Sequence, residues 1–329
     1  MRNMDTSINF DIKPLFKSSD IEIIPQPGVI HLHERMEKPE ENPDNEWIKL
    51  GLVAMKDLHD SGFRPKTVAD IGTGNGILAI GAAHIFKPET VYLTDIVDHV
   101  LPYCAINVKE NLEALTKYTP QVISVAGRDA DPLPDSLVDL FVFSPPPLMI
   151  TDKSKLESGL ARTTLTEYDH YIQYANGKDD KLAKWSVLPW YAFLLSAKKK
   201  MKEHSVILGI YSGRIPFNTI TEAYSRAGMK IAISRSIVKK QQDPIYLKEY
   251  ADYESNYLNG DTFYFYNFEK AQLLMTQAGI KMPGIITLSD QEIKEILFPA
   301  KISALEAYQQ SLQGLPVAHI GHALIGTLA

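Results

Sequence analysis

The stretch Val68-Ala69-Asp70-Ile71-Gly72-Thr73-Gly74-Asn75-Gly76-Ile77-Leu78-Ala79-Ile80 constrains the fold more than any other part of the chain. Thr67 to Asp70 read as the end of a buried strand, and the apolar run after Gly76 reads as a helix. Three glycines stand between them at alternate positions. Gly72 and Gly74 permit a sharp turn and let a ligand approach bare backbone, while Gly76 lets the helix start close to the sheet. Strand, tight turn and helix open an α/β layer structure.

The residues that follow repeat this unit. The first helix is expected to reach about Phe86, and Thr90-Val91-Tyr92-Leu93-Thr94 reads as the next strand, ended by Asp95. This acid stands at the offset, about twenty residues past the glycines, at which a second-strand carboxylate reaches a ribose. Capping of the next helix is the other reading, and Asp98 competes for that task. Residues 98–117 read as a helix, with Cys104 as a small core residue. Val122 to Val125 form a third strand, and Asp139-Leu140-Phe141-Val142-Phe143 a fourth, apolar on both faces as a central parallel strand should be. The fourth strand runs into Ser144-Pro145-Pro146-Pro147. Prolines fix φ and donate no backbone hydrogen bond, so they hold the chain stiff at the edge where α/β sheets bind ligands. A surface loop rich in proline is the alternative.

The second strong feature of the glycine turn is the acid, Asp70, two residues before its first glycine. The dinucleotide fingerprint spaces its glycines G-x-G-x-x-G; here the third comes one residue early, and Ile77 stands where the last glycine would be. The arrangement resembles the first motif of the class I S-adenosylmethionine (SAM) methyltransferases. Asn107, in a D-x(11)-N arrangement after Asp95, resembles the same pattern. Ser144-Pro145-Pro146 resembles the [Asn/Asp/Ser]-Pro-Pro-[aromatic] corner of the methyltransferases that modify glutamine N5, adenine N6 or guanine N2. Pro147 departs from it, because the family usually has an aromatic residue there that stacks on a planar substrate. The resemblance spans residues 68–150 well and the later α/β pattern more loosely.

That resemblance implies a Rossmann-like, doubly wound α/β fold with a mostly parallel seven-stranded sheet and N- and C-terminal extensions. It implies SAM as the cofactor, held by Asp70, Gly72, Thr73, Gly74, Asn75, Gly76, Asp95, Ile96, Asp129 and Ser144. Asp129 would lie near the adenine amino group, with Asp131 as a rival. Ser144, Pro145 and Pro146 would be the catalytic corner. Substrate contacts are sought at Pro147 and in the polar segment after it, at Arg162, Glu167 and Tyr168. Glu34, Arg35 and Glu46 are added because such enzymes close the site with a preceding strand, loop and helix.

Three parts are expected: residues 1–64 as an N-terminal extension closing the site, 65–240 as the cofactor-binding catalytic domain, and 241–329 as a C-terminal extension. Within the second, 151–184 is an insertion that either caps the substrate or is a surface excursion. Trp185 to Met201 reads as a helix, Ser205 to Tyr211 as a strand, Ile220 to Ala227 as a helix ended by Gly228, and Lys230 to Val238 as a strand. Beyond 241, Tyr246, Tyr250, Tyr253 and Tyr257 form an aromatic stretch read as packing. Thr262 to Tyr266 then reads as a strand, with helices near 267–278, 289–297 and 300–312.

Composition narrows the partners. Thirty-four basic against forty acidic residues, a formal charge of -6, argue against a broad nucleic-acid surface. One cysteine suits a reducing compartment, so a cytoplasmic location is expected. Met1 to Phe10 lacks the apolar segment of a secretory signal. No apolar run approaches a membrane span, and the nine histidines show no metal-ligand spacing, so neither membrane nor metal is expected. The expected activity is methyl transfer from SAM to a nitrogen nucleophile on a small amino-acid-like, guanidino or amino substrate, the acids of the insertion favouring a cationic one. A protein glutamine or nucleic-acid base nitrogen is the alternative acceptor. An NAD-dependent oxidoreductase and a catalytically silent SAM-binding protein are the rival classes. The oligomeric state is left open.

Overall fold

The computed structural model describes residues 8–21, 28–32, 36, 38–113, 120–152, 154–155 and 165–329. In chain order the elements are β1 (Ile8–Asp11), α1 (Lys13–Ser18), β2 (Val29–Leu32), α2 (Trp47–Asp60), β3 (Thr67–Ile71), α3 (Ile77–Phe86), β4 (Thr90–Asp95), α4 (Leu101–Glu113) and β5 (Gln121–Ala126). They continue with β6 (Val138–Phe143), β7 (Leu148–Ile150), β8 (Leu165–Glu167), α5 (Tyr168–Tyr171), α6 (Lys181–Lys184), α7 (Leu188–Lys200), β9 (Met201–Ser212), α8 (Phe217–Ala227) and β10 (Met229–Gln241). Last come α9 (Pro244–Tyr257), β11 (Phe265–Asn267), α10 (Phe268–Gln277), β12 (Gly284–Ile286), α11 (Asp290–Leu297), β13 (Lys301–Ile302), α12 (Ala304–Leu312) and β14 (Val317–Leu328).

Among the described residues the main sheet has ten strands, with the path β12-β10-β14-β9-β6-β3-β4-β5 and with β11 and β13 attached beside β14. Strands β5, β4, β3, β6 and β9 are mutually parallel. β14 lies antiparallel between β9 and β10, so β10 again runs with the parallel set. These seven strands are the expected Rossmann-like, doubly wound α/β sheet; β11, β12 and β13 enlarge its far edge. The chain winds outward through β3, β4 and β5, then returns to β6 on the other side of β3. That reversal leaves a crevice at the strands' carboxyl ends.

Alternation along the strands builds a core on each face. Ala69, Ile71, Phe141 and Phe143 face one cluster with Trp190, Phe193 and Tyr224. Val68, Leu140 and Val142 face the other with Leu52, Leu78 and Ile80. A Cβ on Gly81 would lie 2.2 Å from Leu52 Cδ2, so α3 and α2 pack with no room for a side chain there.

Glu46, expected to help close the site, instead caps α2, accepting the Ile48 N–H at 3.1 Å. Asn45 is engaged elsewhere, exchanging two hydrogen bonds with the Lys240 backbone at 2.7 and 3.0 Å. The segment after Ser144 is less polar than expected: Leu148, Met149, Leu165, Tyr171 and Leu182 are buried in the main core. The stretch 241–329, expected as a C-terminal extension, supplies β14 to the central sheet. Its opening aromatics lie on a helix, α9, where their i, i+4, i+7, i+11 spacing places Tyr250 and Tyr253 in the core.

Candidate active site

A cleft of about 1230 Å³ opens at the carboxyl ends of the parallel strands. One end is the glycine turn between β3 and α3. Gly72, Gly74 and Gly76 have φ of +65°, +50° and +82°, the left-handed region in which a side chain is strained. A Cβ on Gly72 would meet nothing within 4 Å, and one on Gly74 only the Gly72 carbonyl at 3.9 Å, so the space over the turn is open. Gly76 has a different task. It precedes α3, and a Cβ there would lie 2.8 Å from Cys104 Sγ.

Carboxylates and hydroxyls set the shape of this turn. Thr73 donates its backbone N–H to the Thr94 carbonyl at 2.8 Å and its hydroxyl to Asp70 Oδ2 at 2.8 Å. Burial pushes the Asp70 carboxyl up to about 7, against the opposing Thr73 bond, and the nearby Asp95 charge adds to the rise. Asp95 accepts the Gly74 N–H at 3.1 Å and the Val97 N–H at 2.8 Å. The carboxylate thus holds the backbone on both sides of the turn and also lines the cleft; the helical turn at 98–100 carries no side-chain cap, from Asp95 or from Asp98. Next to it Ile96 lines the cleft and is 53% exposed.

The proline corner forms the middle of the cleft. Phe143 stacks on Phe193 with ring centroids 3.9 Å apart, which anchors the end of β6. Ser144, Pro145, Pro146 and Pro147 follow, half-buried, and all four line the cleft. Glu167 lines it as well and pairs with Arg128 at 3.4 Å. This acid is therefore neutralised by the chain, which weakens the expectation of a cationic substrate drawn to the insertion.

Other expected residues fall elsewhere. Asp129 does not line the cleft; its carboxyl lies 3.5 Å from the Tyr171 hydroxyl, and burial pushes it up to about 7. Tyr168 does not line it either. Glu46 is buried behind the wall, accepting the Glu40 N–H at 2.6 Å, and burial raises its carboxyl. Glu34, Arg35 and Arg162 lie outside the described residues.

The far end of the cleft had no counterpart in the expectations. It is built by the ends of β9, β10 and β14 and the start of α9: Ser212, Arg214, Lys239, Tyr246 and His319 line it. Lys239 pairs with Glu40 at 3.2 Å. Burial, then the Arg214 and Lys239 charges, push His319 well below the usual histidine range, so it is neutral. A serine, a histidine and an acid also meet away from the cleft. His322 lies 2.8 Å from Ser236 Oγ and 2.9 Å from Asp290 Oδ1. None of the three lines the cleft and all are buried, so this chain of bonds is structural.

No known family model matches the sequence, and no curated protein matches it. Solved structures do. The ribosomal protein L11 methylase of Lactobacillus delbrueckii subsp. bulgaricus is similar at 15% identity over 65% of this chain and 89% of that one, with a TM-score of 0.37. M. jannaschii TYW2 in complex with AdoMet is similar at 16% identity over 64% and 74%, with a TM-score of 0.36. The YcgJ protein of Bacillus subtilis is similar at 10% identity over 83% and 97%, with a TM-score of 0.40. The functional reading of this chain rests on its own residues.

Proposed function

We propose that the protein is a SAM-dependent methyltransferase acting on a nitrogen of a small amino-acid-like substrate. One observation carries this reading: a single cleft joins the open glycine turn, the Asp95 carboxylate and the Ser144–Pro147 corner. The fit of SAM is supported by the empty space over Gly72 and Gly74, which a side chain would fill. Asp95 is positioned to accept from the ribose hydroxyls, and exposed Ile96 offers an apolar face for the adenine. SAM supplies a methyl group on a sulfonium; transfer gives S-adenosylhomocysteine, the methylated nitrogen and one released proton.

The chain's part is binding and positioning. Residues 145–147 have carbonyls but no N–H, so with Ser144 the corner presents acceptors and one hydroxyl. Such a corner suits a nucleophile that carries its own N–H groups. Orientation of that nitrogen, and exclusion of water around it, account for rate without any group acting as a strong base. Binding of SAM measured by calorimetry, followed by transfer of labelled methyl to amino acids, peptides and tRNA, tests the reading. Tight binding of NAD with none of SAM would reverse it in favour of an oxidoreductase. SAM binding without transfer to any acceptor would leave a silent SAM-binding protein.

A further inference from the structure

Arg214 is a buried cation with which no described carboxylate is paired. Only 5% of the residue is exposed, and it lines the cleft. Its Nη1 donates to Ser212 Oγ at 3.0 Å and to the Tyr250 hydroxyl at 2.7 Å. Its Nη2 lies 3.0 and 3.1 Å from the ring nitrogens of His319, which is neutral. Its Nε is buried with no hydrogen-bond partner. Among the described residues, no carboxylate forms an ion pair with it. The rings of Tyr250, Tyr246 and Phe265 lie 4.8, 5.0 and 5.7 Å from the guanidinium carbon. Those faces offset part of the desolvation of the charge, but a guanidinium fork is built to engage a carboxylate, and burying it without one is costly.

Strand order says which molecule would bring that carboxylate. Asp95 ends β4, the glycine turn follows β3, Ser144 follows β6 and Arg214 follows β9, and these strands are successive neighbours. Phe143 pairs with Gly209, so Ser144 is level with Ile210, and Arg214 lies four residues further out. Arg214 is thus on the opposite side of the proline corner from Asp95. We propose that Arg214, framed by Ser212, Tyr246 and Tyr250, is a carboxylate subsite for the methyl acceptor, which is therefore an amino-acid-like molecule with a free carboxylate. This deepens the methyltransferase reading and rests on it for the word acceptor; the anion site itself stands on geometry.

The test uses the full chain labelled with 15N and two probes, N-acetylglycine and N-acetylglycinamide. The Nε–H signal of Arg214, assigned by its loss in Arg214→Lys, is followed during titration. The expected result is a shift with the acid and none with the amide, retained when S-adenosylhomocysteine is bound. Arg214→Lys is expected to weaken acid binding by roughly tenfold or more, because an ammonium does not reproduce the fork. Equal shifts with both probes, or none with the acid, overturn the subsite while SAM binding stands. Loss of the acid's effect on adding S-adenosylhomocysteine, with weaker SAM binding in Arg214→Lys, overturns the acceptor assignment and gives the cation to the cofactor's own carboxylate. Failure of the wild type to bind SAM removes the proposed function and leaves the anion result intact.

Discussion

Asn107 grips the backbone of His31 from both sides: its Oδ1 accepts the His31 N–H at 2.7 Å, and its Nδ2 donates to the His31 carbonyl at 3.0 Å. The same Nδ2 donates to the Asn75 carbonyl at 3.0 Å. One buried amide on α4 therefore ties β2 to the glycine turn, with both of its N–H donors and its carbonyl oxygen engaged. Asn107→Asp puts a carboxylate against two carbonyls. We expect it to cost about 2–4 kcal/mol of stability, more than Asn107→Ala if the charge stays ionised. Urea unfolding of the two variants checks the order. SAM affinity should fall in both, since the turn loses its strut.

Asp95→Ala should weaken SAM binding by more than the loss of ribose contacts alone. It also frees the Gly74 and Val97 N–H groups that the carboxylate now holds. Each charge-assisted bond is worth roughly 1.5–3 kcal/mol at most. Calorimetry on a variant with an unchanged circular dichroism spectrum is the measurement; unaltered affinity would remove Asp95 from the cofactor site.

Ser144→Ala should lower turnover by one to two orders of magnitude, roughly 1.4–3 kcal/mol of positioning in the transition state. SAM affinity should barely move. Wild-type turnover in this variant would leave the proline carbonyls as the active feature.

Asp70 makes stability fall with pH. Its carboxyl titrates near 3.8 when unconstrained and about 7 in the folded protein. Between those values the unfolded chain has released this proton while the folded chain keeps it. The group's contribution is thus most favourable below that window, declines through it and levels off above. Asp70→Asn abolishes the titration and retains an acceptor for Thr73. Its stability relative to wild type should rise between pH 4 and 8 by up to about 4 kcal/mol, read from chemical denaturation at each pH.

The glycine turn, Asp95 and the proline corner were legible because each depends on local covalent chemistry: missing Cβ atoms, fixed φ, an acid at a strand end. The parallel strands from β3 to β9 were legible for a related reason, their continuous apolar runs. Arg214 was not. It lies in the turn after β9, beside Gly213, and only the placement of β14 brings His319 against it. That strand pairs with β10 from Met229↔Leu328 to Gln241↔Val317, a register no local pattern announces. Tyr246 and Tyr250 did carry a signal, their helical spacing, which was read as packing alone. Asp129 has the offset that suits the adenine, while the Tyr171 hydroxyl lies 3.5 Å from its carboxyl, a contact across 42 residues that no local pattern announces.

The place of β14 has a consequence for biosynthesis. Residues 317–328 form the last of the described strands in chain order, yet they lie between β9 and β10, which end at Ser212 and Gln241, well before Val317 is made. Until they arrive, two long strands offer unsatisfied edges to each other and to neighbouring nascent chains. Closure of the sheet between β9 and β10 therefore waits for residues 317–328, and this protein should depend on holding chaperones while that segment is still being made.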